Sequence, residues 1–172
     1  MKKLFFVFVL ILSLLLNGCS NSALPSAEDV ANAYKNDFSA AAKVSFDDNE
    51  AEMKIEKNPM SISISLVFPA EISGMGIVLS DEHAKINYEG MEQTIKTESL
   101  PEGTPFLLLA ELFEELSDPE DFVLSTENSN IVAKGDDFSA VLSPEDFSLI
   151  SAEFPEYKTR FAFSDFNFSA SE

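Results

Sequence analysis

The segment at residues 104–117 constrains the fold more than any other part of the chain. Thr104 suits the position before a helix and Pro105 suits the first helical position, so the segment predicts a helix. Its acidic residues fall three and four apart and leave apolar side chains over the rest of the surface: Phe106, Leu107, Leu108, Leu109, Ala110, Leu112, Phe113 and Leu116. A helix that is apolar around most of its circumference must be buried on more than one side. Because a flat sheet covers one side only, this segment predicts a curved sheet that wraps around the helix.

Alternation of apolar and polar residues predicts the strands of that sheet. It begins at residues 38–46 and continues at 53–55 and 60–68, with short polar turns between. Period two indicates strands with one buried face, and turns this short indicate antiparallel neighbours. Further strands are predicted at residues 77–79, 84–88, 93–97, 122–126, 130–133, 138–142, 147–154 and 157–168. The total is about eleven strands.

A shorter helix is predicted before the first strand. Ser26 suits its N-cap, and Asp29 favours the positive end of a helix that runs to about Asn36. Its weakly apolar face should pack on the edge of the sheet and consists of Ala27, Val30, Ala31 and Tyr34. No linker interrupts the chain from here on. Residues 27–172 are therefore predicted to form a single domain of mostly β, α+β class.

The first residues have the order of a bacterial export signal. Lys2 and Lys3 precede an apolar run at residues 4–16 that is too short for a comfortable membrane span. The sequence Leu-Asn-Gly-Cys at residues 16–19 then resembles the lipobox of bacterial lipoproteins. In that class the signal is cleaved before the cysteine, whose sulfur receives diacylglycerol. An ordinary secretory signal and an uncleaved signal anchor are the alternatives.

The lipobox resemblance implies a location as well as a modification. Residues 1–18 would be the signal peptide, residues 19–26 a lipidated tether, and Cys19 the site of lipid attachment. Two acyl chains hold a protein stably at a bilayer where one does not. The expected location is extracytoplasmic, anchored to the cell membrane through Cys19.

Composition limits the possible partners. Cys19 is the one cysteine, so no disulfide can form within one chain and the fold must rest on its own core. The 30 acidic and 11 basic residues give a formal net charge of −19, and cleavage after residue 18 would remove two lysines. This charge repels nucleic acid, which we exclude as a partner. The 16 phenylalanines indicate a folded chain, because disordered segments lack such residues.

No pattern in the sequence indicates catalysis. His83 is the one histidine, and without a second histidine or a nearby cysteine it makes a poor transition-metal site. The chain has neither a nucleophile elbow nor a phosphate-binding glycine loop. Acidic clusters at residues 47–50, 118–121 and 136–137 lack EF-hand spacing, which favours solvated turns over a calcium site. We therefore predict that the protein is not an enzyme, has no catalytic residues, and needs no metal or cofactor.

Several short segments are similar to a set of small bacterial lipoproteins of clostridial type. They are residues 68–75 (Phe-Pro-Ala-Glu-Ile-Ser-Gly-Met), 86–91 (Ile-Asn-Tyr-Glu-Gly-Met), 100–101 (Leu-Pro) and 165–168 (Asp-Phe-Asn-Phe). The order of elements more distantly resembles the Lol-type lipoprotein carriers and receptors. That resemblance implies a strongly curved, unclosed antiparallel β-barrel of about eleven strands, with an N-terminal helix and the hydrophobic helix packed in the concave face.

An apolar concave face leads to two hypotheses about function. Apolar pockets with few polar groups are common ligand sites, so the first hypothesis is binding or carriage of a lipid or other apolar ligand between sheet and helix. Candidate lining residues are Met60, Ile62, Ile64, Phe106, Leu109 and Phe113. The alternative is an envelope structural or interaction module in which these residues form a filled core and bind no ligand. The expected partners are the membrane, through the lipid anchor, and an apolar small molecule, with the protein itself a monomer.

Overall fold

The computed structural model of the protein describes residues 24–169. Within these residues there are two α-helices, α1 (Ala27–Tyr34) and α2 (Pro105–Glu115), and two short 3-10 helices at Ala70–Ile72 and Thr97–Ser99. The strands before α2 are β1 (Phe38–Phe46), β2 (Asn49–Asn58), β3 (Ser61–Phe68), β4 (Gly76–Leu79), β5 (His83–Tyr88) and β6 (Met91–Lys96). Those after α2 are β7 (Val123–Glu127), β8 (Asn130–Lys134), β9 (Ser139–Leu142), β10 (Leu149–Phe154) and β11 (Thr159–Phe168). The predicted cleavage after residue 18 and the lipidation of Cys19 lie outside the described residues.

All eleven strands belong to one antiparallel sheet, in the order β6-β5-β4-β3-β2-β1-β11-β10-β9-β8-β7. The first and last strands meet in the middle of the sheet, where Phe38 pairs with Phe168 and Phe46 with Thr159. The strands at the two ends of this order, β6 and β7, pair only with β5 and β8 within residues 24–169. The sheet is therefore an unclosed β-barrel with two helices, as predicted.

Period-two burial follows the sequence pattern closely in β1, β2 and β3. In β2, the inward-facing Ala51, Met53 and Ile55 are buried, whereas Lys54 and Glu56 face outward and are exposed. Alternate side chains of a strand point to opposite faces, so one apolar row closes the core and one polar row meets water. The buried residues of both halves of the sheet and of both helices form one hydrophobic cluster.

Helix α2 lies in the concave face. Leu109, Leu112 and Phe113 are 0 % exposed, and the Phe113 ring centroid is 4.8 Å from that of Phe38 on central strand β1. The predicted helix and its need for cover on several sides are both confirmed. Thr104 occupies the N-cap position, but its Oγ1 accepts no hydrogen bond from the helix. Pro105 at the first turn carries no backbone N–H, and Thr104 contributes its carbonyl, which accepts from the Leu108 N–H at 3.0 Å.

Helix α1 begins at the residue that the sequence predicts, but it packs on a different part of the sheet from the part predicted. The Asp29 N–H donates to Ser26 Oγ at 3.2 Å, while the Ser26 N–H donates to Asp29 Oδ2 at 3.1 Å, forming a capping box. The prediction that α1 packs on the sheet edge is wrong. Its Tyr34 ring contacts Phe38 of β1 and Phe168 of β11, the two central strands. A ring of this size is buried most completely where other aromatic rings surround it, and those rings lie at the centre.

Candidate functional site

A groove of about 570 Å³ lies at one end of the concave face. One wall is the outer side of α2, and the other consists of the turns joining β2 to β3 and β4 to β5, together with Thr97 after β6. Strand pairing brings these turns to the same end of the sheet, because β2 and β3 reverse direction at Asn58 and β4 and β5 at Ser80. The lining residues are Lys35, Lys57, Asn58, Pro59, Met60, Ser61, Ile62, Leu79, Ser80, Asp81, Thr97, Leu107, Ala110, Glu111, Glu114 and Ser117.

Apolar side chains form the floor of the groove. Ile62 and Leu79 are neighbours on paired strands β3 and β4, and both are buried members of the core cluster. Leu107 and Ala110 are half-buried on the facing side of α2. Met60, at the tip of the β2–β3 turn, is 83 % exposed. An unbranched, polarisable side chain of this kind adapts readily to different apolar partners, so the floor ends in a flexible apolar rim.

Lys57 is the basic group of the groove with the most defined surroundings. It continues the inward-facing row of β2 after Ile55 and pairs in register with Phe38. Its Nζ donates to the Tyr34 carbonyl at the end of α1, at 2.8 Å, and lies 5.7 Å from the centroid of the Phe38 ring. Partial burial lowers the pKa of the Lys57 ammonium, and the nearby Asp37 carboxylate opposes that effect. The cation stabilises the negative end of α1.

Acidic side chains stand on the α2 wall. Glu111 and Glu114 are one turn apart, and both are exposed. Partial burial raises the pKa of Glu111, and the carboxylates of Asp137, Glu114 and Glu102 raise it further. Asp81 adds a third acid from the β4–β5 turn. The groove thus carries Lys57 and Asp81 on its sheet wall, and two of its three acids, Glu111 and Glu114, on its helix wall.

Hydrogen bonds hold the two helices together at this end. Ser117 Oγ lies 2.6 Å from the Phe113 carbonyl and 3.1 Å from the Tyr34 carbonyl. The final carbonyls of a helix have no partner inside the helix, so contacts of this kind satisfy them. Ser117 and Lys57 therefore share the carbonyl at the end of α1, which fixes the wall of the groove.

The predicted lining residues separate into two groups. Met60 and Ile62 line the groove. Ile64, Leu109 and Phe113 are fully buried in the core, and Phe106 is half-buried without bordering the groove. Their assignment as ligand-lining residues stays a prediction. The sequence interpretation missed Lys57, although a lysine that continues an inward-facing apolar row is a signal that could have indicated it.

Other kinds of site find little support in the described part of the chain. Within residues 24–169, no three His, Cys, Asp or Glu side chains converge as ligands for a metal ion. His83 is exposed, with Nδ1 3.9 Å from a carboxylate oxygen of its neighbour Glu82. Neither α1 nor α2 is long and apolar enough to cross a bilayer.

Comparison with known proteins shows the fold and no family. No protein-family model and no curated protein matches the chain. Among solved structures, it is similar to an uncharacterized conserved protein of Thermus thermophilus, with a TM-score of 0.53 and 9 % identity over 83 % of this chain and 85 % of that one. A LolA superfamily protein of Nitrosomonas europaea gives a TM-score of 0.42 at 9 % identity, covering 86 % and 96 % of the two chains. The lipoprotein LppX of Mycobacterium tuberculosis gives 0.44 at 8 % identity, covering 84 % and 93 %.

Proposed function

We propose that the protein is an extracytoplasmic lipoprotein, anchored through Cys19, that binds a ligand with an apolar chain in the groove beside α2 and catalyses no reaction. The observation that carries this proposal is a groove of about 570 Å³ whose floor is continuous with the hydrophobic core. Ligand sites in proteins are typically apolar hollows of about 300–1,000 Å³ with a few polar groups that orient the ligand.

The geometry of the groove favours binding over catalysis. Its apolar floor is formed by Ile62, Leu79, Leu107 and Ala110, and its charged residues stand at the rim. A nucleophile or a general base would need a partner within hydrogen-bond reach that activates it. The lining hydroxyl groups of Ser61 and Ser80 bond to Asn58 and to the His83 carbonyl, as turn residues do.

Anchoring through Cys19 is tested by changing that residue. Cys19→Ser removes the sulfur that would carry diacylglycerol, and the protein should move from the membrane fraction to the soluble extracytoplasmic fraction. Immunoblotting of fractionated cells measures the change, and incorporation of a labelled fatty acid into the parent protein serves as its positive control. Equal incorporation of the labelled fatty acid by the parent and the serine variant, or none by the parent, would exclude the lipobox interpretation.

Ligand binding is tested by filling the groove. Ala110→Trp places an indole in the space between α2 and the β2–β3 turn and should weaken binding of a fluorescent fatty acid at least about tenfold, through loss of the apolar contact area. Ala162→Trp is the matched control, because Ala162 is exposed on the outward face of β11. Unchanged affinity in Ala110→Trp, or an equal loss in Ala162→Trp, would exclude the groove as the site.

A second candidate is an interaction or structural module of the envelope without a ligand. The observation that favours it is the filled centre of the concave face, where Leu109, Leu112 and Phe113 have no exposed surface. Solvent extraction of the purified protein separates the two candidates, since the covalent lipid on Cys19 stays with the chain. Release of a second, non-covalent lipid in stoichiometric amount, seen by mass spectrometry, favours binding; a clean extract favours the module.

A further inference from the structure

Residues of opposite charge line the groove without forming ion pairs with each other. Within residues 24–169, the ion pairs at 4.0 Å or less join Lys43 to Glu50, His83 to Glu82, Lys85 to Glu92, Lys96 to Glu98, Lys134 to Glu127 and Arg160 to Glu153. All of these pairs join neighbours on the sheet or in its turns. The lysines and acids that line the groove take part in none of them.

Lys57 has hydrogen-bonding capacity left over. An ammonium group carries three N–H donors, and the Tyr34 carbonyl uses one of them. No carboxylate in the described part of the chain lies within 4.0 Å of its Nζ, although the chain has 30 acidic residues and the Asp37 carboxylate acts on it from farther away. A half-buried cation gains more from an anionic partner than an exposed one, because water screens it less. Lys35, which follows α1, also lines the groove and adds a second positive charge.

The acidic residues on α2 are likewise not paired with a residue of opposite charge in the described part of the chain. Glu111 and Glu114 line the groove one turn apart, and neither takes part in an ion pair of 4.0 Å or less within residues 24–169. Partial burial first, and the carboxylates of Asp137, Glu114 and Glu102 second, raise the pKa of Glu111. A positive group placed between them would relieve this repulsion. A purely anionic ligand would approach the Lys57 side against these acids and against a net charge of −19. A purely cationic ligand would leave Lys57 without a partner.

We infer that the ligand is a single-chain amphiphile with a zwitterionic head group. Its anionic part contacts Lys57 and Lys35, its cationic part contacts Glu111 and Glu114, and its chain lies along Ile62 and Leu79. This inference rests on the proposed function and specifies the ligand class of the same groove. The volume of about 570 Å³ is that of a drug-sized ligand, which suits one chain with its head group rather than two chains.

The test compares four probes that share one alkyl chain. They are dodecylphosphocholine, dodecanoate, dodecyltrimethylammonium and the neutral monoglyceride of dodecanoic acid, each titrated below its critical micelle concentration into the Cys19→Ser protein and followed by calorimetry. The phosphocholine should bind at least about tenfold more tightly than each of the other three, since a charge-assisted hydrogen bond is worth about that factor.

Charge-removing variants test the two halves of the head-group site. Lys57→Met should weaken phosphocholine binding about tenfold and shift the preference towards the trimethylammonium probe, while Lys57→Arg should retain the parent preference. Glu111→Gln combined with Glu114→Gln should shift it towards dodecanoate. Lys54→Met and Glu56→Gln are matched controls on the outward face of β2 and should leave every affinity within about twofold.

The outcomes distinguish this inference from the proposal on which it rests. Equal affinity for all four probes, or tightest binding of a singly charged probe, would contradict the zwitterionic head group. Neither result would contradict the binding of an apolar chain in the groove. Absence of binding by every probe would overturn both. The melting temperature of each variant shows whether it is folded. If Lys57→Met does not fold, Lys57→Arg and the double variant Glu111→Gln with Glu114→Gln still test the head-group site.

Discussion

The two sides of α2 differ although both are apolar in sequence. The side that carries Phe113 packs into an aromatic cluster and excludes water, while the side that carries Ala110 borders the groove. The cluster consists of Tyr34, Phe38, Phe113, Phe163, Phe166 and Phe168. Phe38 lies 4.8 Å from both Phe113 and Phe166, measured between ring centroids.

This difference shows what separates a core from a binding site. Large rings on α1, β1 and β11 fill the space beside Phe113, whereas the groove beside Ala110 is lined by smaller strand residues such as Ile62 and by turn residues, and it stays open. Interiors pack as densely as organic crystals, so an apolar residue becomes available to a ligand only where its neighbours fail to reach it. Helix α2 presents apolar residues on both sides. The neighbouring elements determine which side is buried in the core and which side borders the groove.

Among the variants that test this difference between the two sides of α2, Phe113→Ala should have the largest effect on stability. It removes a fully buried ring from the aromatic cluster and should lower the free energy of unfolding by about 3–5 kcal/mol. Urea denaturation followed by circular dichroism measures the loss. The control is Phe106→Ala on the same helix, where a half-buried ring should cost clearly less. Equal losses in the two variants would mean that the cluster is no better packed than the groove side.

A smaller effect is expected from Tyr34→Phe, which keeps the ring in the cluster and removes its hydroxyl. The Tyr34 hydroxyl donates to the Phe147 carbonyl at 2.8 Å, so the variant should lose about 1–2 kcal/mol of unfolding free energy. Tyr88→Phe is a matched control, because the Tyr88 hydroxyl makes a similar bond of 2.7 Å to the Glu71 carbonyl in an exposed position. A loss in Tyr34→Phe as small as that of the control would show that the buried hydroxyl is dispensable.

The smallest effect on stability is expected from replacing two acidic residues of α2, Glu111 and Glu115, and its size depends on pH. Partial burial first, and nearby carboxylates second, raise the pKa of Glu111 and of Glu115 in the folded protein. As pH rises from the ordinary glutamate pKa of about 4.3 through the raised folded values, the unfolded state ionises first and the fold loses stability. Glu111→Gln combined with Glu115→Gln should therefore stabilise the protein at neutral pH by a few tenths of a kcal/mol, roughly the scale of exposed charge effects.

The pH profile of that double variant is the decisive measurement. Melting curves at several pH values measure how much more stable the double variant is than the parent protein. This difference in stability should vanish once the pH falls below the ordinary glutamate pKa, because the parent carboxyls are then neutral in both the folded and the unfolded state. Glu56→Gln on the outward face of β2 controls for the change in net charge. An advantage that persists undiminished at acidic pH would have another cause.

The fold could be predicted from the sequence to a large extent. All eleven strands were predicted, β1 to β3 from period-two alternation, and the apolar circumference of α2 indicated the curvature of the sheet. Both features depend on short-range patterns that each element carries by itself. The position of α1 could not be predicted, since the Tyr34 ring packs between rings from opposite ends of the chain, Phe38 and Phe168.

The groove was harder to predict than the core. Alternation identifies inward-facing apolar residues such as Ile64, and most of those are buried by their neighbours. The groove instead unites residues near strand ends, such as Lys57, Asp81 and Thr97, with the outer side of α2. Which turns come together is decided by the pairing of the whole sheet, information that no single segment contains.

The central pairing of β1 with β11 has a consequence for the order of folding. Each half of the sheet consists of hairpins between consecutive strands, which close over short loops and can form quickly. The seam between the halves joins Phe38 to Phe168, so it cannot form until β11 is available to pair. Until then Phe38 lacks its partners from β11, and the exposed seam is where a chaperone or a protease would act on the incompletely folded chain.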